Sequence, residues 1–120
     1  GGLLVASDWM RSNDEPLSDE MMDYVAAEGM DMHMCSIDRY RDAIELAGFV
    51  DIELKDRNKW YSDLAKQEVV AMSMSPLREK IVNLIGENEA SNTIEIWNKM
   101  IGVLDSGEHR PGHIRARMPS

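Results

Sequence analysis

The chain has 120 residues, with 22 acidic side chains against 13 lysines and arginines and a formal net charge of −9. Its 43% hydrophobic and 29% charged residues describe an ordinary soluble domain, or most of one, and the acidic balance disfavours a nucleic-acid partner. No apolar run approaches the ~20 residues that cross a bilayer, no secretion signal opens the chain, and the lone thiol of Cys35 fits a reducing, cytoplasmic setting.

Gly1-Gly2 reads as a turn and Leu3-Leu4-Val5-Ala6-Ser7-Asp8 as a strand. A continuous apolar run of this kind predicts burial on both faces, as in a parallel sheet. Parallel neighbours arrive by crossover connections, so the strand is expected at an edge, or the chain as the rear part of something longer. Arg11 to Pro16 is a polar loop. Ser18 is placed to cap a helix carrying Met21, Met22, Val25 and Ala26, with Asp19 and Glu20 at its positive end. Ser36 caps a second helix, on which Ile37, Tyr40, Ile44 and Ala47 recur at helical spacing. Gly48 then sits where a left-handed residue closes a helix, with Phe49 as its apolar contact. Val50 to Leu54 alternates apolar and polar, as a half-exposed strand does.

The next part is helical. Asn58 is expected to cap a helix over Lys59 to about Ser73, carrying Trp60, Leu64 and Met72, with Tyr61, Ala65 and Val69 beside them. Ser75-Pro76 reads as a cap followed by proline at the first helical position, with Leu77, Ile81, Leu84 and Ile85 as the apolar face of that helix. Gly86 ends it. A last helix spans about Glu89 to Leu104, with Trp97, Met100 and Ile101 on its stripe, and His113 to Met118 reads as a final strand. His109, Arg110, His113, Arg115 and Arg117 crowd this end. They fit either a solvated strand balancing the acidic body or an anion-facing edge.

The order and spacing of these segments resemble the end of a class I S-adenosylmethionine-dependent methyltransferase domain. Gly1 to Trp9 is similar to that family's glycine turn and fifth strand, Ser36 to Phe49 to its next helix and exit, and Val50 to Leu54 to its sixth strand. Ser7-Asp8-Trp9, Lys55-Asp56-Arg57, Trp97, Gly107-Glu108 and Pro111-Gly112 most resemble the phosphoethanolamine-type N-methyltransferases. The likeness covers nearly the whole chain. It implies an α/β, partial Rossmann-like fold: the last three strands in a mixed sheet with an inserted helical lid. Residues 1–57 would form the strand-helix-strand core, 58–106 the lid and 107–120 the final strand. The opening strand would lie beside the last strand and leave its other edge open, which predicts a homo-oligomer built on that edge.

The resemblance implies an S-adenosylmethionine cofactor and a small amine substrate, such as a phosphobase, for the parent protein. This chain shows no glycine-rich loop between a strand and a helix, so no cofactor-binding residue and no catalytic residue is assigned, and the chain alone is expected to be inactive. Met100 stands where the resembling phosphobase enzymes carry a lysine for the substrate phosphate, and Lys99 is one position away, about 100° round the helix.

The residues assigned to the substrate are Asp8, Trp9, Tyr40, Arg57, Trp60 and Tyr61. Asp8 lies at the carboxyl end of a strand, where open α/β sheets place ligand contacts. Aromatic faces stabilise a cationic amine by about 0.5–2 kcal/mol each, and Arg57 can fork onto a phosphate or carboxylate. Trp60, Tyr61 and Tyr40 also fit plain core packing. Met30, Met32, His33, Met34 and Cys35 have the ligand softness for copper(I), but methionine is abundant throughout, and adaptable packing accounts for the segment. No metal is assigned. The competing class is a non-enzymatic α+β module that binds a partner, or a second copy, through a methionine-lined groove.

Overall fold

The computed structural model describes residues 1–120. Its elements in chain order are β1 (Leu3–Arg11), α1 (Asp19–Glu28), α2 (Ile37–Leu46), β2 (Val50–Asp56), α3 (Asn58–Met72), α4 (Leu77–Ile85), α5 (Glu87–Asp105) and β3 (His109–Arg117). The architecture is α/β, with one three-stranded sheet in the order β1-β3-β2. No helix is long and apolar enough to cross a membrane.

The sheet differs from the mixed one expected. β3 runs antiparallel to both neighbours, so every ladder is antiparallel; the one parallel pairing is an isolated bridge between Arg11 and Ser36. Gly2 accepts from the Met118 N–H toward β3. By alternation, the backbone groups of Leu3, Val5, Ser7 and Trp9 face away from β3, along the free edge of β1. Arg11, next in that series, closes the edge at its far end by donating to the Cys35 carbonyl at 2.9 Å.

Nor is β1 buried on both faces. Leu4 and Ala6 pack with Ile114, Ala116, Ile52 and Leu54 beneath α2, which contributes Tyr40 and Ile44. On the opposite face Leu3 is 66% and Val5 75% exposed. The apolar run is a strand with one covered face and one open one. At its C-terminal end the open face is capped by the helical layer: Trp9 packs against a core of Met21, Tyr24, Ala65, Met100, Val103 and Leu104 drawn from α1, α3 and α5.

The helix boundaries follow local chemistry. Ser18 and Ser36 accept from the backbone N–H groups of Met21 and Arg39, three residues on. After α2, Gly48 donates to Glu45 and Phe49 to Ile44, the paired bonds of a Schellman closure, with Gly48 at φ 92°. Asn58 is not the cap expected of it. Arg57 occupies that position, and Asn58, the first residue of α3, donates from Nδ2 to the carbonyls of Leu104 at 2.9 Å and His109 at 2.8 Å. It thereby ties the end of α5 to the start of β3. Pro76 is the residue flanking α4 rather than its first member, and Ser75 bonds the Glu79 side chain instead of a backbone N–H. The apolar residues of α4 reach no core: none is buried, and Leu84 is 83% exposed.

β3 begins four residues earlier than the sequence pattern suggests and is the central strand. Its cations therefore form no anion-facing edge. Arg110 pairs with Asp56 at 2.7 Å, Arg117 with Asp51 at 2.7 Å and Arg115 with Glu53 at 3.7 Å, all on β2. A side chain at Gly112 would press on Met10 and on the Lys55 carbonyl, so the close approach of β2 requires glycine there.

Candidate functional site

Two clefts meet at the C-terminal end of β1, and Asp8 and Trp9 line both. The first, of 190 Å³, is bounded by Asp8, Trp9, Met32, His33, Met34, Cys35 and Tyr40. The second, of 260 Å³, is bounded by Asp8 and Trp9 together with Ser7, Arg57, Trp60, Tyr61 and the Pro111–His113 segment of strand β3. All six residues assigned to the substrate from the sequence therefore line one cleft or the other: Asp8, Trp9 and Tyr40 in the first, and Asp8, Trp9, Arg57, Trp60 and Tyr61 in the second.

In the first cleft the Asp8 carboxylate is fixed from two sides. The Tyr40 hydroxyl donates to Oδ2 at 2.9 Å, and the Trp9 backbone N–H to Oδ1 at 2.8 Å. Burial, and then the bond to Asp8, push the Tyr40 hydroxyl above its ordinary pKa, so it stays a donor. Met32 and Met34 supply polarizable walls. No lysine or arginine lines this cleft, and His33 is turned to Asp31 at 3.0 Å on the exposed surface. An oriented carboxylate, two aromatic rings and two thioethers make a seat for a cation.

Cys35 is no activated nucleophile. Burial is the main cause raising its thiol pKa, and the Asp14 charge adds to it. No group of three or more His, Cys, Asp or Glu side chains is placed to hold a metal ion. Asp14 instead clamps the helix cap, accepting from the Ser36 hydroxyl at 2.6 Å and from its N–H at 2.8 Å; the hydroxyl bond is the first cause holding its carboxyl below the usual range.

In the second cleft the Arg57 guanidinium lies 4.6 Å above the Trp60 ring. Its main chain is locked, with the N–H on the Pro111 carbonyl at 2.8 Å and the carbonyl accepting from Tyr61 at 2.9 Å. The Tyr61 ring meets Trp9 edge-on at 5.1 Å. Burial first, then Glu68 and Glu28, raise the Tyr61 pKa. On α5, Met100 is 2% exposed in the core and Lys99 points out to Asp23 at 2.8 Å, so that turn offers no free cation to the site.

The pattern of residues left one participant unread. His109 is wholly buried, stacked flat on Trp9 with ring centroids 4.6 Å apart and flanked by Tyr24 at 5.4 Å. Neither ring nitrogen has a partner, and burial lowers its pKa to about 4. Tyr24, on α1, donates to Glu28 at 2.9 Å, and Trp97 to Glu68 at 2.8 Å. The aromatic and helical layers thus close over Trp9 from the side opposite α2.

The architecture matches a region of a methyltransferase fold. Among solved structures the chain is similar to phosphoethanolamine N-methyltransferase 2 of Haemonchus contortus, in complex with phosphomonomethylethanolamine and S-adenosylhomocysteine, with a TM-score of 0.86 at 15% identity. It is likewise similar to the selenomethionine form of that enzyme in complex with S-adenosyl-L-methionine, with a TM-score of 0.84 at 16% identity. Both matches cover 100% of this chain and 27% of the other. No protein-family model and no curated protein matches the sequence.

Proposed function

We propose that these 120 residues are the C-terminal, substrate-side part of an S-adenosylmethionine-dependent methyltransferase that acts on a small amine such as a phosphobase. The observation that carries the reading is the Asp8 carboxylate, held by the Tyr40 hydroxyl and the Trp9 N–H in a cleft of aromatic rings and thioethers that contains no lysine or arginine. Methyl transfer needs donor and acceptor held in line more than it needs covalent chemistry. In this reading Asp8, Trp9 and Tyr40 seat the ammonium, while Arg57, Trp60 and Tyr61 line the rest of the substrate. The frame is a core over 1–57, a lid over 58–106 and a final strand over 107–120. With no glycine-rich cradle in its sequence, the chain alone neither holds S-adenosylmethionine nor transfers a methyl group. It works in the cytoplasm, and the open edge of β1 pairs with a second copy.

The test has two parts. Isothermal titration of the chain with S-adenosylmethionine should show no binding, and tight one-to-one binding would overturn the assignment to the substrate side. Titration with tetramethylammonium should shift the NMR signals of the Trp9 indole and of the Met32 and Met34 methyls. Asp8→Asn should abolish those shifts; equal shifts in the variant, or none in the parent, would remove the amine.

The methionine-lined groove of a non-enzymatic binding module is the second reading, favoured by Met32 and Met34 both lining the first cleft. An apolar peptide that binds there in competition with tetramethylammonium would support it.

A further inference from the structure

Arg57 and Arg39 are the two arginines whose side chains make neither a hydrogen bond nor an ion pair, and of the two only Arg57 has a buried, unpartnered Nε. In a chain of net charge −9, Arg78, Arg110, Arg115 and Arg117 each pair with a carboxylate. Arg11, like Arg57, has its Nε buried without a partner, but its Nη2 donates to the Glu15 carbonyl. The Arg57 side chain has neither an ion-pair partner nor a hydrogen bond, although it lines a cleft and its Nε is withdrawn from water. A guanidinium donor desolvated without an acceptor costs free energy, and such orphaned groups call for a missing water, ion or ligand.

The surroundings state what would fit. Stacking on Trp60 presets the plane of the guanidinium, and the locked Arg57 backbone fixes its root. A preset arginine fork matches an oxyanion, which accepts two parallel bonds. Ser7, Tyr61 and His113 also line the cleft and bring further donors. Asp8 also lines the cleft, its carboxylate oxygens taken up by the Tyr40 hydroxyl and the Trp9 N–H, and the other walls are flat: the rings of Trp9, Trp60 and Tyr61, over the backbone of Pro111 and Gly112. At 260 Å³ the cleft admits a small molecule and nothing larger.

We infer that the Arg57–Trp60 cleft is a seat for an oxyanion carried on a small planar apolar body, of which an aromatic carboxylate is the simplest form. The carboxylate lies on the guanidinium fork and the ring slides between the aromatic walls. The inference deepens the substrate-wall reading and rests on it for the claim that this anion belongs to the substrate. The anion binding itself is a property of these residues and is measured without cofactor or turnover.

The experiment titrates the 120-residue chain with benzoate, acetate and inorganic phosphate in turn, following the Arg57 Nε–Hε and Trp60 indole signals by NMR. Benzoate should shift both and bind more tightly than acetate or phosphate. Arg57→Lys keeps the charge and loses the fork, so benzoate affinity should fall about tenfold; Trp60→Leu should remove the preference for benzoate over acetate. An unchanged backbone spectrum shows that each variant is folded, and a variant that unfolds is replaced by Arg57→Gln or Trp60→Phe. No shift at Arg57 with any of the three anions, or equal benzoate affinity in Arg57→Lys, overturns the site. Equal affinity for all three anions overturns the planar body. The tetramethylammonium titration is read at the Met32 and Met34 methyls, which line only the first cleft, and the anion titration at Arg57 and Trp60, which line only the second, so loss of the amine reading and loss of the anion seat give different spectra.

Discussion

His109 lies flat against Trp9, diagonal to it across the β1–β3 ladder and two residues along β3 from Pro111, which is opposite Trp9, with 4.6 Å between ring centroids and 4° between planes. Both imidazole nitrogens are buried without partners, so the ring behaves as an aromatic spacer that happens to be titratable. Burial brings its pKa down from 6.5 to about 4, because the charged form would be desolvated there. A depressed histidine favours the fold fully above pH 6.5, and this contribution is lost as the pH falls from 6.5 toward 4. The loss amounts to about 3 kcal/mol at and below pH 4. Thermal unfolding between pH 7.5 and 4 should show this decline, and His109→Phe should flatten it without lowering the melting temperature at pH 7. A variant with an unaltered acid limb would show that other groups set it.

Asn58 is the second joint of the same region. Its side-chain amide donates to the last turn of α5 and to the first residue of β3 at once. Asn58→Ala leaves two carbonyls without these donors, at about 1–3 kcal/mol. Asn58→Asp is worse than the alanine, because it sets an acceptor against two acceptors. Denaturant midpoints for the two variants check that order.

At the first cleft, Tyr40→Phe removes the hydroxyl that holds Asp8 and keeps the ring. Stability should fall by about 1 kcal/mol. Tetramethylammonium should bind several-fold more weakly, because the carboxylate can then turn away. Asp8→Asn should lose the cation almost entirely while keeping its stability closer to the parent. Affinities read from the Met32 and Met34 methyl signals separate the two effects.

These sites were unequally legible in the sequence. The two serine caps and the Gly48–Phe49 closure are local, and local hydrogen bonding dictated them as read. The six residues assigned to the substrate fall at strand ends and on the first turn of a helix, and the structure gathers them around two clefts. The start of β3 was hidden by Pro111 and Gly112, residue types that suit turns better than strand interiors. Pro111 is tolerated because its backbone faces the β2 side at a position where β2 has already ended at Asp56; its missing N–H costs no ladder bond, and its carbonyl serves Arg57. The role of His109 needed the β1–β3 register, which no periodicity within one segment reveals. The open face of β1 was misread for a related reason. A run of apolar residues states which side chains avoid water and leaves unstated what covers them, and here α2 covers only one side.

That open side supports the last prediction. Leu3, Val5 and Ser7 turn their backbone groups to an unpaired edge, and Leu3 and Val5 also expose their side chains. From Leu3 to Ser7 the edge carries no charge, no proline and no bulge, the usual protections against strand addition. Only its far end is blocked, where Arg11 is bonded to Cys35. Two copies related by a two-fold axis at Val5 would pair Leu3 with Ser7 of the partner copy and Val5 with itself, in the ladder geometry that their outward groups already present. Light scattering of the parent chain should give a mass near twice 13.6 kDa at high concentration. Val5→Lys sets two like charges opposite each other on that axis and should return the mass to a monomer, with melting temperature little changed because Val5 is exposed in the single chain. A parent chain that stays monomeric at every concentration, or a Val5→Lys dimer, would show that this edge is not where copies meet.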